Sequence, residues 1–206
     1  MDYSKDEMRI HSLFPTPIGE TVRKVTSKEK EFFEKLQNEP RTKNQGNTFT
    51  QDNHVLDKSE LYDLKIDLTD IVNNYFKTVY KPKFDAELYI TISWVNYTET
   101  RQWHHAHSHS NSIISGVYYI ETDESDRIFF DSPNVDSLGL KIKSKEFNHW
   151  NSSDWWWETP KDNVLLFPSS LVHRVEPTTN ENVRVSLAFN TFIKGTINDE
   201  LVELAL

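Results

Sequence analysis

The sequence predicts a mainly β fold, a jelly roll in which N-terminal α-helices pack on one sheet. Three observations lead there. Helical apolar spacing is confined to the first 82 residues. After Pro82 the chain becomes a series of short β-rich segments separated by turns. The last of these segments alternates polar and apolar residues, which assigns one sheet face to the helices and the other to an interior cavity. The chain divides accordingly into helical support (1–82), jelly-roll core (83–195) and C-terminal tail (196–206) of one domain, which its 206 residues suit.

The first helix begins near Thr26, where Thr26-x-x-Glu29 has the form of a capping box, and carries Phe32, Phe33 and Leu36 before Pro40. Residues 41–56 (RTKNQGNTFTQDNHVL) are polar and loop-like. The second helix follows Asp57, with Glu60 three residues on. It spaces Leu61, Leu64, Leu68, Ile71, Val72, Tyr75 and Val79 at helical intervals until Pro82. Strands are then expected at 86–97, 112–121, 127–131, 163–168, 171–176 and 182–193, all rich in β-branched and aromatic residues. Four of the six tryptophans fall in 147–163. There a strand at 155–159 would point Trp156 opposite to Trp155 and Trp157, which favours core or edge packing over a substrate wall.

The final two strands, HRVEPTTNENVRVS, are expected to form a hairpin turning within 177–182. Glu176 would then face Val183, Val175 would face Arg184, and His173 would face Ser186. His173, Arg184 and Ser186 would share a cavity face, while Val185, Leu187 and Phe189 take the face that the helices cover.

Composition narrows the function. The net charge of −9 argues against a duplex-binding protein, though one local patch could still grip a nucleic acid. No apolar run approaches the roughly 20 residues of a membrane helix. The N-terminal stretch lacks the layout of a secretory signal, so the cytoplasm is the expected location. Cysteine is absent, which leaves nitrogen and oxygen as the only metal donors.

Histidines supply those donors. Four of the eight stand at 104, 105, 107 and 109. On a regular strand His105, His107 and His109 share a face and His104 points away. Two imidazoles two residues apart can converge on one metal, with His173 as a third ligand from a distant strand, a set that suits Fe, Ni, Cu or Zn. Spacing alone is equally compatible with a solvated histidine-rich loop. It does not separate a His105-x-His107 pair from a His107-x-His109 pair.

The pieces HSHSNSIISGVYY, LLFPSSLVHRV and RVSLAFN, together with LFPTPI and WVNY, resemble the 2-oxoglutarate- and Fe(II)-dependent oxygenase superfamily. More narrowly, they resemble a family of short oxygenases frequent in marine bacteria and their phages. The resemblance implies a double-stranded β-helix, with Fe(II) and 2-oxoglutarate as cofactors and O2 as co-substrate. Aligned on the motifs, His107, His109 and His173 match the metal ligands. Arg184 and Ser186 match the carboxylate-binding Arg-x-Ser, and Tyr119 (Tyr118 less well) matches a carboxylate-binding tyrosine. His109 departs from the pattern, since it stands where the superfamily usually has a carboxylate.

The leading expectation is therefore a hydroxylase that oxidises an unidentified protein or small-molecule substrate and releases succinate and CO2. Two alternatives are an oxoglutarate-independent three-His dioxygenase of cupin type and a non-catalytic metal-binding jelly roll. Loops 41–56 and 132–162 are expected to set specificity.

Overall fold

The computed structural model describes residues 8–133, 142–179, 181–199 and 204–205. The chain forms β1 (Gly19–Val22), α1 (Ser27–Leu36), β2 (Arg41–Lys43), β3 (Thr48–Thr50), α2 (Tyr62–Tyr80), β4 (Glu87–Thr98) and β5 (His104–His107). It continues through β6 (Ile114–Glu121), β7 (Arg127–Asp131), β8 (Asp154–Glu158), β9 (Asn163–Pro168), β10 (His173–Val175) and β11 (Arg184–Lys194). In the expected tail, β12 (Thr196–Asn198) and β13 (Leu204–Ala205) make a small separate ribbon.

A seven-stranded sheet runs β1-β9-β6-β11-β4-β3-β2 and a four-stranded sheet runs β5-β10-β7-β8. From β4 onward the chain passes back and forth between them. β4, β6, β9 and β11 lie in the large sheet, and β5, β7, β8 and β10 lie in the small one. That winding makes a double-stranded β-helix, with an inner space between the sheets.

The helices cover the other face of the large sheet. Leu64, Leu68, Val72, Tyr75 and Phe76 of α2 join Leu88, Val95, Val185, Leu187 and Phe189 in one buried core. Asn73 clamps α2 to β4, donating to the Leu88 carbonyl at 2.9 Å and accepting from the Leu88 amide at 2.8 Å. Thr26 caps α1 in the expected capping box with Glu29. The buried Glu29 carboxylate pairs with Arg23, which also reaches Asp67 of α2 and the Tyr118 hydroxyl of β6. One guanidinium thus ties both helices to the sheet.

Several expectations need correction. Residues 41–56 contain β2, β3 and the start of a tight turn at Val55–Asp57. The long strand β4 offers an edge on which Thr48 pairs with Tyr97 and Phe49 with Asn96. The second helix starts later than Asp57, because Ser59–Leu61 winds as a 3-10 turn before α2 proper. Strand β1 was not foreseen; it completes the sheet against β9. Residues 134–141, within the 132–162 loop, lie outside the described residues, as do 200–203 and 206 of the tail.

The hairpin of β10 with β11 is also overturned. β10 pairs with β5 on one side and β7 on the other, so neither edge remains for β11. After β10 the chain is drawn across to the turn that follows β4. Thr178 donates its amide to the Gln102 carbonyl at 3.0 Å, and its carbonyl accepts from the Arg101 amide at 2.9 Å. His173 and Arg184 therefore belong to opposite sheets. They still meet, because each sits on the face of its own sheet that lines the space between.

Candidate metal centre

His107, His109 and His173 offer ligand atoms that all lie within 4.8 Å of one another. His107 comes from β5, His173 from β10, and His109 from the turn beyond β5. The His109 amide donates to the Ser169 carbonyl at 2.9 Å, which holds that turn against the chain leaving β9. Ring centroids are 4.3 Å apart for His107 and His173, 4.9 Å for His107 and His109, and 5.2 Å for His109 and His173.

Two of these rings have their orientation set by the backbone. The Nδ1–H of His107 donates to the His105 carbonyl at 2.8 Å, and that of His173 donates to the Leu171 carbonyl at 3.0 Å. A carbonyl can only accept, so the proton of each neutral ring resides on Nδ1 and the Nε2 lone pair is free for a metal. Burial, helped by neighbouring histidines, pushes His173 down to about 3 and His109 down to about 4, and burial also lowers His107. All three are neutral donors near pH 7. Among the described residues no carboxylate belongs to the group.

His104 does not point away as the alternation rule predicts. His173 pairs with His107 and Val175 with His104, so three steps on β5 match two on β10. The extra residue is a β-bulge, which reverses the facing of whatever lies before it. His104 consequently lies beside His107, its ring stacked at 4.5 Å, and both line the cavity. His105 is absent from the cavity wall shared with Arg184 and Tyr119, although its ring lies 4.9 Å from that of His107 and it forms a second group of ligand atoms with His104 and His107.

Across the cavity, Arg184, Ser186 and Tyr119 stand on the inner face of the large sheet with Asn96 and Thr98. Ser186 pairs with Asn96 on one side and Tyr119 on the other. Tyr118 faces the helix side and meets Arg23. Arg184 is 4% exposed and its Nη1 donates to the Arg127 carbonyl at 3.2 Å, but its Nε has no partner. The fully buried Tyr119 hydroxyl and the Asn96 Oδ1 are likewise unpaired. Burial pushes the Tyr119 phenol up to about 12 against the opposing pull of Arg184, whose Cζ lies 5.4 Å from the ring. Leaving such donors dry and unpaired costs roughly 1–3 kcal/mol each. A ligand carboxylate would satisfy the two donors, Arg184 Nε and the Tyr119 hydroxyl.

Sequence reasoning missed Asn96 and Trp94, whose ring lies 5.7 Å from His109. Both belong to WVNY, and their shared inward alternation on β4 was the available signal. The tryptophan strand behaves as expected of a packing element. Trp157 packs against the small core under β7, whereas Trp156 is exposed on the opposite face beneath the Arg127 guanidinium.

Residues 92–190 match the family described as "Putative 2OG-Fe(II) oxygenase". The fold is similar to that of an oxygenase of the 2OG-Fe(II) family from Burkholderia pseudomallei. The TM-score is 0.55 at 13% identity, over 80% of this chain and 78% of that one. It is also similar to HygX from Streptomyces hygroscopicus, solved with nickel, 2-oxoglutarate and hygromycin B bound. There the TM-score is 0.57 at 11% identity, over 85% and 82% of the two chains. A third likeness is to SnoK, an alpha-ketoglutarate-dependent carbocyclase of nogalamycin biosynthesis, with TM-score 0.60 at 13% identity, over 85% and 79%. The sequence matches none of the curated proteins.

Proposed function

We propose, from the match of residues 92–190 to the 2OG-Fe(II) oxygenase family, that His107, His109 and His173 hold the Fe(II) while Arg184, Tyr119 and Ser186 hold the far carboxylate of 2-oxoglutarate. One observation carries this reading. Two buried donors without partners, Arg184 Nε and the Tyr119 hydroxyl, line the same cavity as three neutral imidazoles.

When bound, iron and oxoacid supply the redox chemistry, in which O2 converts 2-oxoglutarate to succinate and CO2 and a substrate C–H to C–OH. The protein's own residues bind and orient. Arg184 neutralises the far carboxylate in a charge-assisted contact worth about 1.5–3 kcal/mol, and Tyr119 donates beside it. An oxoacid held there would face His107, His109 and His173 across the cavity. The buried aromatic rings of Phe130 and Phe167, packed on His173, keep water from that side.

The substrate is a protein side chain or a small molecule, oxidised in the cytoplasm, where both cofactors are available. The test is calorimetric titration of 2-oxoglutarate with Fe(II) under anaerobic conditions, followed by an assay of succinate formation with ascorbate. Binding with at least uncoupled succinate release is expected. No oxoacid binding and no succinate would overturn the reading. The all-imidazole ligand set also suits an oxoglutarate-independent dioxygenase, which predicts turnover indifferent to Arg184→Ala.

A further inference from the structure

We infer that His104 is a positioning residue: held by Asn44, it braces the His107 ring and so sets how tightly the metal centre holds its ion. The inference rests on the proposed role of His107, and it concerns a residue that the resemblance leaves without a role.

His104 is held on three sides. The bulge in β5 turns it inward. Its ring stacks on His107 at 4.5 Å with 23° between the planes and meets His105 at 5.1 Å. Asn44, in the turn between β2 and β3, reaches across with its amide nitrogen 3.0 Å from His104 Nε2. The Asn44 oxygen already accepts from the Gln45 backbone amide at 2.7 Å, so the nitrogen is the atom that faces the ring. It donates, and His104 Nε2 accepts. The same turn is locked to β5 by the Trp103 amide, which donates to the Gly46 carbonyl at 3.1 Å. A Cβ on Gly46 would fall 2.5 Å from the Trp103 carbonyl oxygen, so the turn and the strand are as close as backbone allows.

Two consequences follow. His104, His105 and His107 also offer ligand atoms within 4.8 Å of one another, a second group assigned here to bracing rather than to metal binding. His107 is shared with the first group, and the Asn44 amide occupies the Nε2 lone pair of His104. Instead the stack limits rotation of His107 about its side-chain bonds, while the His105 carbonyl holds its Nδ1–H. A ligand ring pre-oriented by such partners binds metal about 10- to 100-fold better than a free one.

The test has a metal-free arm and a metal arm. In the metal-free protein, long-range proton–nitrogen spectra should show His104 protonated on Nδ1. Asn44→Ala should mix its tautomers and displace the His107 nitrogens. With Co(II) as the probe, His104→Ala should weaken binding about tenfold. His104→Phe, which keeps the stack, should stay within about threefold of the parent with unchanged visible bands. His107→Ala provides the reference for a lost ligand. The inference is overturned by His104 protonated on Nε2, or by His104 and His107 nitrogens unmoved in Asn44→Ala. It is equally overturned by parental Co(II) affinity in His104→Ala, or by bands in His104→Phe that shift as they do in His107→Ala. Failure of the parent to bind Co(II) would refute the metal centre itself, leaving the metal-free spectra to decide on His104.

Discussion

His173 stands directly opposite His107 in the antiparallel pairing of β10 with β5, and their ring centroids lie 4.3 Å apart. Opposed residues on one sheet face are the closest side-chain neighbours a sheet can offer, so two donors are pre-assembled without any loop having to order. His173→Ala should therefore weaken Co(II) or Fe(II) binding by about 100-fold or more. Among the described residues the neutral ring hydrogen-bonds the Leu171 carbonyl alone, so the fold should persist. Metal titration of the purified variant beside the parent is the check, and equal affinities would remove His173 from the centre.

Arg184→Ala should separate the two cofactors. The guanidinium lies on the sheet opposite β5 and β10, away from the three-imidazole group, so metal affinity should hold. 2-Oxoglutarate should bind about 10- to 100-fold more weakly, the equivalent of one charge-assisted contact. Tyr119→Phe removes one neutral donor and should cost about 1 kcal/mol, roughly fivefold. Calorimetry of the oxoacid on the metal-loaded variants measures both.

The fold was legible in the sequence wherever a regular period applied. The capping box at Thr26 and Glu29, the apolar face of α2 and the strands at 127–131 and 163–168 all announce themselves locally. What was not legible depends on which edge a strand finds. β10 is three residues long, and nothing in HRVEPTTNENVRVS reveals that β5 and β7 take both its edges. The cavity shared by His173, Arg184 and Ser186 was inferred from a hairpin that does not form. It exists because the inner faces of two sheets oppose each other. His104 was lost to the alternation rule for a related reason, since a single inserted residue reverses facing and leaves no compositional mark.

Gly116, within the SGVYY stretch, has a packing reason to be glycine. It pairs with Phe189 across β6 and β11, and an added Cβ would fall 2.1 Å from the Phe189 ring. Phe189 is fully buried, so its ring can shift only against its neighbours in the core. Gly116→Ala should cost about 1–3 kcal/mol of stability by overpacking. It should also disturb oxoacid binding, because Gly116 lines the cavity. Denaturant unfolding of the metal-free variant reads the first effect, and a midpoint equal to that of the parent would show that the ring moves aside freely.

The uncharged ligand set makes a prediction about linkage. Three neutral imidazoles leave the double charge of Fe(II) uncompensated, and the buried Arg184 adds a further positive charge to the same cavity. A dianionic oxoacid would offset both, so each partner should bind more tightly once the other is present. Binding free energies are reciprocal, and the same factor must appear in either order of addition. We expect Co(II) affinity to rise at least tenfold with saturating 2-oxoglutarate, about 1.4 kcal/mol of coupling. His109→Asp places a carboxylate among the ligands and should act in the opposite sense. Metal affinity without oxoacid should increase, and the gain on adding 2-oxoglutarate should shrink. Parental coupling in that variant would mean that His109 does not contribute to the charge balance of the centre.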